Sequence, residues 1–220
     1  MTAVYTGKDR RYTGEAVDIT YDVKRCIHAE HCINHLPAVF DKDRRPWILA
    51  DAAAADHVAA VAELCPSGAL HYERKDGGQQ ETAPAQNVIR LRHNGPLEIR
   101  GDLMIEDTTV ILQDETRAML CRCGVSQNKP FCDNQHREIH FEPVDPAPSG
   151  SQEPGALGPG RLQIVARHNG PLELDGPVRI VNEAGETIFV GQAAILCRCG
   201  GSSRKPFCDG THERIAFTAE

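Results

Sequence analysis

Nine cysteines fall along this 220-residue chain in three groups of three, and none is left over. Cys121, Cys123 and Cys132 stand with His136, and Cys197, Cys199 and Cys208 with His212, in one repeated pattern: Cys-x-Cys, eight residues, Cys, three residues, His. The third group is Cys26, Cys32 and Cys65. Thiolate sulfur and imidazole nitrogen suit zinc, iron and iron–sulfur clusters. Three donor sets with no cysteine left over therefore predict three metal centres rather than a disulfide scaffold or a single catalytic thiol.

Three cysteines and a histidine make an ordinary structural zinc site, so zinc is the competitor for the two repeated sets. Structural zinc sites usually separate paired cysteines by two to four residues, in turns that aim both sulfurs at one ion. Here a single residue intervenes, Arg122 or Arg198. A two-iron cluster suits that spacing better, because one iron can take the Cys-x-Cys pair while the other takes the distant Cys and His. Two ferric ions, two sulfides and three thiolates carry one net negative charge, and one-electron reduction adds a second. A neutral imidazole in place of a fourth thiolate removes a negative charge and raises the potential, as in Rieske centres.

The N-terminal group reads as half of a ferredoxin motif. The bacterial pattern is C-x2-C-x2-C with a remote Cys-Pro, and this chain has Cys26-Ile-His-Ala-Glu-His-Cys32 followed by Cys65-Pro66, with Ala29 where the second cysteine would stand. Three thiolates can hold a 3Fe-4S cluster. A 4Fe-4S cluster needs a fourth ligand, for which His28, His31 and solvent are the candidates, while the plainer reading of both histidines is a surface residue beside the site.

The elements that must position these donors follow from the pattern around them. VIRLRHNGPLEIRGDLMI…AMLCRCGVSQNKPFCDNQHREIHF recurs as LQIVARHNGPLELDGPVRI…AILCRCGGSSRKPFCDGTHERIAF, two copies that predict a duplicated domain paired within one chain. Pro-, Gly- and Ser-rich stretches separate the units, giving domains at 1–75, 88–143 and 161–220 with linkers at 76–87 and 144–160. Within the copies, Val88 to Leu91, Ile105 to Leu112 and Gln163 to Val165 read as strands, and Asn94-Gly95-Pro96 and Asn169-Gly170-Pro171 as tight turns between them. The alternative for this repeated loop is a cover over a metal centre, tuned by His93 and His168. Asp51 to Leu64 reads as a helix with Asp51 as N-cap, stopping at Cys65 because Pro66 pushes its predecessor out of the helical region. Trp47, the only tryptophan, is expected in core packing.

Units this small sit near the size where a hydrophobic core alone is marginal, so a bound cluster would contribute folding free energy. The formal charge of -7 argues against a nucleic-acid binder. Basic residues nevertheless flank each donor set: Arg122, Lys129 and Arg137 at the first repeat, Arg198, Arg204, Lys205 and Arg214 at the second, and Lys24 and Arg25 at the N-terminal group. They would offset the negative charge of thiolate-bound clusters, unless they are simply solvated surface charges. The N-terminus, MTAVYTGKDRRYTGE, has no apolar run to serve as a signal peptide, and no stretch has the length of a membrane span. A soluble cytoplasmic protein is expected, in a compartment where reduced thiols ligate metal more often than they form disulfides.

CRCGGSSRKPFCDGTH resembles the cluster-binding signature of the CDGSH iron–sulfur family, and CRCGVSQNKPFCDNQH a variant of it. The match covers the donors, Ser126 and Ser202, the Lys-Pro-Phe before the third cysteine, and Asp133 and Asp209 after it. The resemblance implies one 2Fe-2S cluster on Cys121, Cys123, Cys132 and His136 and another on Cys197, Cys199, Cys208 and His212. Family members with one motif form homodimers, so the tandem copies are expected to make that dimer internally, as a monomer with an internal pseudo-dimer. The first copy departs from the family at Asn134-Gln135. Asn replaces Gly best in a left-handed conformation, and the bulkier Gln135 would alter solvent access. Tyr12 to Tyr72, with YTGE, CIHAEHC, RPWI and CPSGAL, is similar to the divergent mono-cluster ferredoxins of 4Fe-4S type.

Together these readings predict an α+β protein in which a small ferredoxin-like N-terminal domain precedes two tandem β-rich CDGSH-type domains. It would hold two 2Fe-2S clusters and one 3Fe-4S or 4Fe-4S cluster. One-electron transfer with a redox partner protein is the expected role, with cluster transfer or storage to an apo-acceptor, or redox sensing, as alternatives and a structural zinc protein as the outsider. No phosphate loop, nucleophile triad or pair of catalytic carboxylates suggests an enzyme, and neither membrane nor nucleic acid is an expected partner.

Overall fold

The computed structural model describes Tyr5, Gly7 and residues 10–147 and 157–219. Most of residues 1–9 and residues 148–156 of the second linker lie outside the described residues. The protein is mixed α+β and mostly β, and it divides into two compact units: Gly7–Thr82, and Met1–Thr6 with Ala83–Glu220.

The first unit is built on a three-stranded antiparallel sheet of β1 (Arg10–Tyr12), β2 (Val17–Tyr21) and β3 (Leu70–Arg74), in that order. Val17, Ile19, Leu70 and Tyr72 form a core with Val39, Phe40, Ile48 and the buried Ala55, Val58, Ala59 and Ala62 of helix α2 (Ala55–Glu63). A short helix, α1 (His31–His35), carries Cys32. Trp47 packs on this core, edge-on to Tyr21 at 4.7 Å and against Phe40 at 6.0 Å.

The helix expected over Asp51 to Leu64 is broken. Ala50–Ala52 is a single 3-10 turn, Ala53 is extended, and α2 starts only after Ala54. Asp51 does not cap it, because its Oδ1 accepts the Glu15 backbone N–H at 2.7 Å. A tertiary hydrogen bond has taken the carboxylate that local propensity assigned to the helix. The C-terminal end falls as Pro66 requires, with Leu64 as the last residue near helical geometry.

The second unit is one six-stranded sheet to which both sequence copies contribute. The first copy supplies β4 (Val88–Leu91), β5 (Leu97–Glu106) and β6 (Ile111–Leu120). The second supplies β7 (Leu162–Ala166), β8 (Leu172–Val181) and β9 (Thr187–Leu196). Each copy is an antiparallel meander, but the first strands are shared. β4 pairs antiparallel with β5 and parallel with β8, while β7 pairs antiparallel with β8 and parallel with β5. β4 and β7 thus lie end to end between the two long central strands. Alternate residues of all six strands meet in one core that includes Ile89, Leu91, Ile99, Leu103, Leu120, Ile164, Leu174, Ile180 and Leu196. Period-two burial along β5 is the sequence signature of this face.

Ile105 to Leu112 is not a strand. β5 ends at Glu106 and β6 begins at Ile111, and Asp107 reverses the chain by accepting the backbone N–H groups of Thr109 (2.6 Å) and Val110 (2.8 Å). An apolar, β-branched run hid an Asx turn. The Asn-Gly-Pro turns are as expected, with Asn94 and Asn169 at φ 47° and 51°, and His93 and His168 are exposed.

Asn87 stitches the centre of this sheet. Its buried side chain donates to the carbonyls of Gly160 and Pro177, both at 2.8 Å, and accepts the Asp102 N–H at 2.9 Å. Asn87→Ala strands these buried groups, each costing about 1–3 kcal/mol. It is expected to lower the denaturation midpoint of the β-rich unit by several degrees in a thermal scan, whereas Asn182→Ala, at an exposed turn, moves it little.

Candidate metal centres

In each copy the donors hang on the end of the last strand. Leu120 bridges to Phe131, the Cys121 N–H donates to the Pro130 carbonyl at 2.8 Å, and the Cys132 N–H to Met119 at 2.9 Å. Residues 121–132 are thereby folded back as a closed loop on β6. Cys197 to Pro206 (2.8 Å) and Cys208 to Ile195 (2.9 Å) repeat this on β9, with Leu196 bridged to Phe207.

The repeated serine and aspartate have structural roles that spacing alone does not reveal. Ser126 Oγ donates to the Phe131 carbonyl and accepts the Asn128 N–H, and Ser202 does the same with Phe207 and Arg204. Asp133 accepts N–H groups from Gln127 (2.7 Å) and Gln135 (3.1 Å), and Asp209 from Ser203 (2.9 Å) and Thr211 (3.0 Å). Each aspartate so ties the cysteine loop to the short helix carrying the histidine: α3 (Gln135–Glu138) with His136, and α4 (Thr211–Arg214) with His212. Asn134 takes the left-handed conformation at φ 72°, as Gly210 does at φ 80°. Asn can therefore replace the glycine of this turn.

Within each set the donors are arranged in pairs. The sulfurs of Cys121 and Cys123 are 3.7 Å apart, as are those of Cys197 and Cys199. Cys132 Sγ lies 3.5 Å from His136 Nδ1, and Cys208 Sγ 3.4 Å from His212 Nδ1. Two sulfurs on one tetrahedral ion lie about 3.8 Å apart, and a sulfur and a nitrogen about 3.5 Å, given metal bonds of roughly 2.3 and 2.0 Å. Each pair thus has the bite of one metal position, and each set offers two. Among the described residues no three His, Cys, Asp or Glu side chains gather around a single ion position. The donor set fits a two-iron cluster.

Cys26, Cys32 and Cys65 line one cavity of about 380 Å³ in the first unit, walled by Tyr12, Tyr21 and Trp47. Cys26 follows β2, Cys32 sits on α1 and Cys65 follows α2. Burial pushes the Cys32 thiol up to about 11, with smaller contributions from Cys65 and Cys26. The Tyr21 hydroxyl is raised by burial and by its charge and hydrogen-bond interactions with Cys26. The three thiols therefore share one electrostatic environment. His28 and His31 also line the cavity, and both are exposed, as is Ala29.

Residues 12–75 match the family described as divergent 4Fe-4S mono-cluster, and residues 94–137 and 169–213 each match the iron-binding zinc finger of CDGSH type. The uncharacterised protein YjdI of Escherichia coli K12 is 37% identical over 73 residues, 33% of this chain and 96% of that protein, and YjdI of strain O157:H7 matches to the same extent. The chain belongs with YjdI through its N-terminal domain, and it carries two motifs that match the CDGSH type. It is an iron–sulfur protein in which a mono-cluster domain of 4Fe-4S type is joined to two CDGSH motifs.

The two CDGSH copies are not equivalent. All four donors of the first are buried, whereas Cys199, Cys208 and His212 of the second are partly exposed. In the first, the contact with Cys123 lowers the Cys121 thiol to about 6, helped by the Ser126 and Gly124 N–H groups and by Lys129. Burial raises Cys132 to about 11 and lowers His136, with Arg137 adding to the second effect. The N–H groups of Asn134 (3.4 Å), Gly201 (3.4 Å) and Gly210 (3.5 Å) point at Cys132, Cys199 and Cys208 sulfurs, contacts of the kind that tune cluster potential. Among the described residues no helix is long and apolar enough to cross a membrane.

Proposed function

We propose that this chain is a one-electron carrier with three iron–sulfur centres: a 2Fe-2S cluster on Cys121, Cys123, Cys132 and His136, a second on Cys197, Cys199, Cys208 and His212, and a 3Fe-4S or 4Fe-4S cluster on Cys26, Cys32 and Cys65. The observation that carries it is the division of each CDGSH donor set into two pairs of single-ion bite, 3.7 and 3.5 Å in the first copy and 3.7 and 3.4 Å in the second. A lone zinc would draw all four donors to one point. When bound, such clusters supply reversible one-electron chemistry. The protein's part is to present thiolates and neutral imidazole, direct N–H groups at the sulfurs and keep water from the buried donors.

The two copies act as an internal dimer. Supporting this reading, β4 and β7 are shared reciprocally, and a Cβ on Gly124 would strike the Cys199 carbonyl just as one on Gly200 would strike that of Cys123. We assign no enzymatic step, and place the chain as a soluble cytoplasmic monomer serving a redox partner protein. Cluster donation to an apo-acceptor is the second reading. It draws on the partial exposure of Cys199, Cys208 and His212, which opens the second centre to an incoming thiol.

Anaerobically purified protein is expected to hold seven or eight irons per chain (two per 2Fe-2S and three or four per larger cluster, roughly) with matching sulfide, and dithionite is expected to bleach its absorption and change its EPR spectrum. About three zincs and a colourless solution would overturn the proposal.

A further inference from the structure

The arginine inside each Cys-x-Cys is buried at 1% exposure, and the two copies hold it almost identically. Arg122 donates through Nε to the Gly95 carbonyl and through Nη2 to that of Arg92, both at 2.9 Å, with its guanidinium 5.5 Å from the Phe141 ring. Arg198 donates to Gly170 (2.9 Å), Arg167 and Ala219 (3.3 Å), with Phe217 5.6 Å away. The copies part at Nη1. Arg122 Nη1 donates to Asp145 Oδ1 at 2.6 Å, whereas among the described residues the buried Arg198 Nη1 has no hydrogen-bond partner.

These cations lie where the copies meet. Lys129 of the first copy and Arg198 of the second approach the same Phe217 ring, each at 5.6 Å. The field of Arg122 reaches Cys197 of the opposite copy and His136 of its own, and that of Arg198 reaches Cys121. Each arginine also senses a more distant carboxylate from the opposite copy, Glu183 for Arg122 and Asp107 for Arg198. Those two contributions correspond, and among the described residues the hydrogen-bonded Asp145 has no counterpart on Arg198.

A cation beside a cluster favours the reduced, more negative state and so raises the potential, and a bonded carboxylate cancels most of that field. We propose that Asp145, by neutralising Arg122, lowers the potential of the CDGSH centres that Arg122 faces, making it a tuning residue that sets the two copies apart electrically. This rests on the two-iron assignment above.

The test is a redox titration of the anaerobically purified full chain, followed by EPR and visible absorption, comparing the unmodified protein with Asp145→Asn and Asp145→Glu. Asp145→Asn is expected to raise at least one CDGSH potential, multiplying the reduced-to-oxidised ratio at fixed potential by about tenfold, ~59 mV for a one-electron couple. Asp145→Glu stays near the unmodified value. Unchanged potentials in Asp145→Asn with full iron content would overturn the proposal. Should Asp145→Asn shed iron, the matched pair Asp145→Glu and Asp145→Gln reads charge at constant length, and equal potentials in that pair would overturn it too. A zinc-loaded protein with no dithionite-reducible absorption would instead remove the two-iron assignment and leave the role of Asp145 without its object.

Discussion

Gly200→Ala is expected to empty both CDGSH centres at once. Gly200 sits at φ 76°, where alanine already costs about 1 kcal/mol. Its Cβ would be driven into the carbonyl group of Cys123 in the other copy, and Gly124 at φ 86° makes the reciprocal contact with Cys199. The obstruction is backbone of the opposite copy's cysteine loop, which cannot yield as a flexible side chain would. A total above ~4 kcal/mol is the scale for such an overlap. Because the carbonyl that must move belongs to a ligand-bearing cysteine of the opposite copy, iron should fall at both centres together. Gly210→Ala is the control: φ is 80°, but nothing lies within 4 Å of the added atom, so only the conformational cost of about 1 kcal/mol remains. Thermal denaturation with iron analysis separates the two, and a Gly200→Ala protein as stable and iron-replete as Gly210→Ala would refute the argument.

Acid is expected to strip iron from the second CDGSH centre well before the first. An imidazole binds metal only when neutral, so protons compete with iron for His136 and His212, and cluster loss accelerates as pH falls. Burial first, and Arg137 second, lower the pKa of His136. The sign follows: His136 stays neutral to a lower pH than a free imidazole, and protonation overtakes it later. His212 and its neighbours Cys199 and Cys208 are more open to solvent. Stopped-flow bleaching at pH 6 should therefore be biphasic, since the neutral fraction of an imidazole falls roughly tenfold for each pH unit below its pKa. His212→Cys should remove the fast phase and His136→Cys the slow one. If His212→Cys bleached as fast at pH 6 as the unmodified protein, His212 would not be a ligand.

Much of the candidate site's geometry was legible because the donors are close together in sequence. Four donors within 16 residues, spaced Cys-x-Cys and Cys-x3-His, meet in pairs with little help from the rest of the fold. The roles of Ser126 and Asp133 were invisible as mechanism, since each acts through backbone groups five or six residues away. Asp145 carried no signal at all: it lies in a Pro-rich stretch read as linker, and its partner is 23 residues upstream. In the fold, periodicity found Val88–Leu91 and the strand around Ile164, but it ran through the reversal at Asp107, where one carboxylate outweighed the β propensity of its neighbours. The helix start was misplaced for a similar reason, because Asp51 serves Glu15, 36 residues away. Long-range use of a short polar side chain is what local patterning cannot register.

The end-to-end placement of β4 and β7 has a consequence for how the molecule behaves at low abundance. Each of these strands borrows one of its two neighbours from the other copy. Were the copies separate polypeptides, the sheet would exist only above a threshold of protein concentration, and a cell making few copies would hold half-built sheets with open edges. Carried on one polypeptide, the partner is always present at an effective concentration on the millimolar scale that no dilution reduces. Assembly of the β-rich unit should therefore be first order, with a melting temperature that is the same at nanomolar and at micromolar protein.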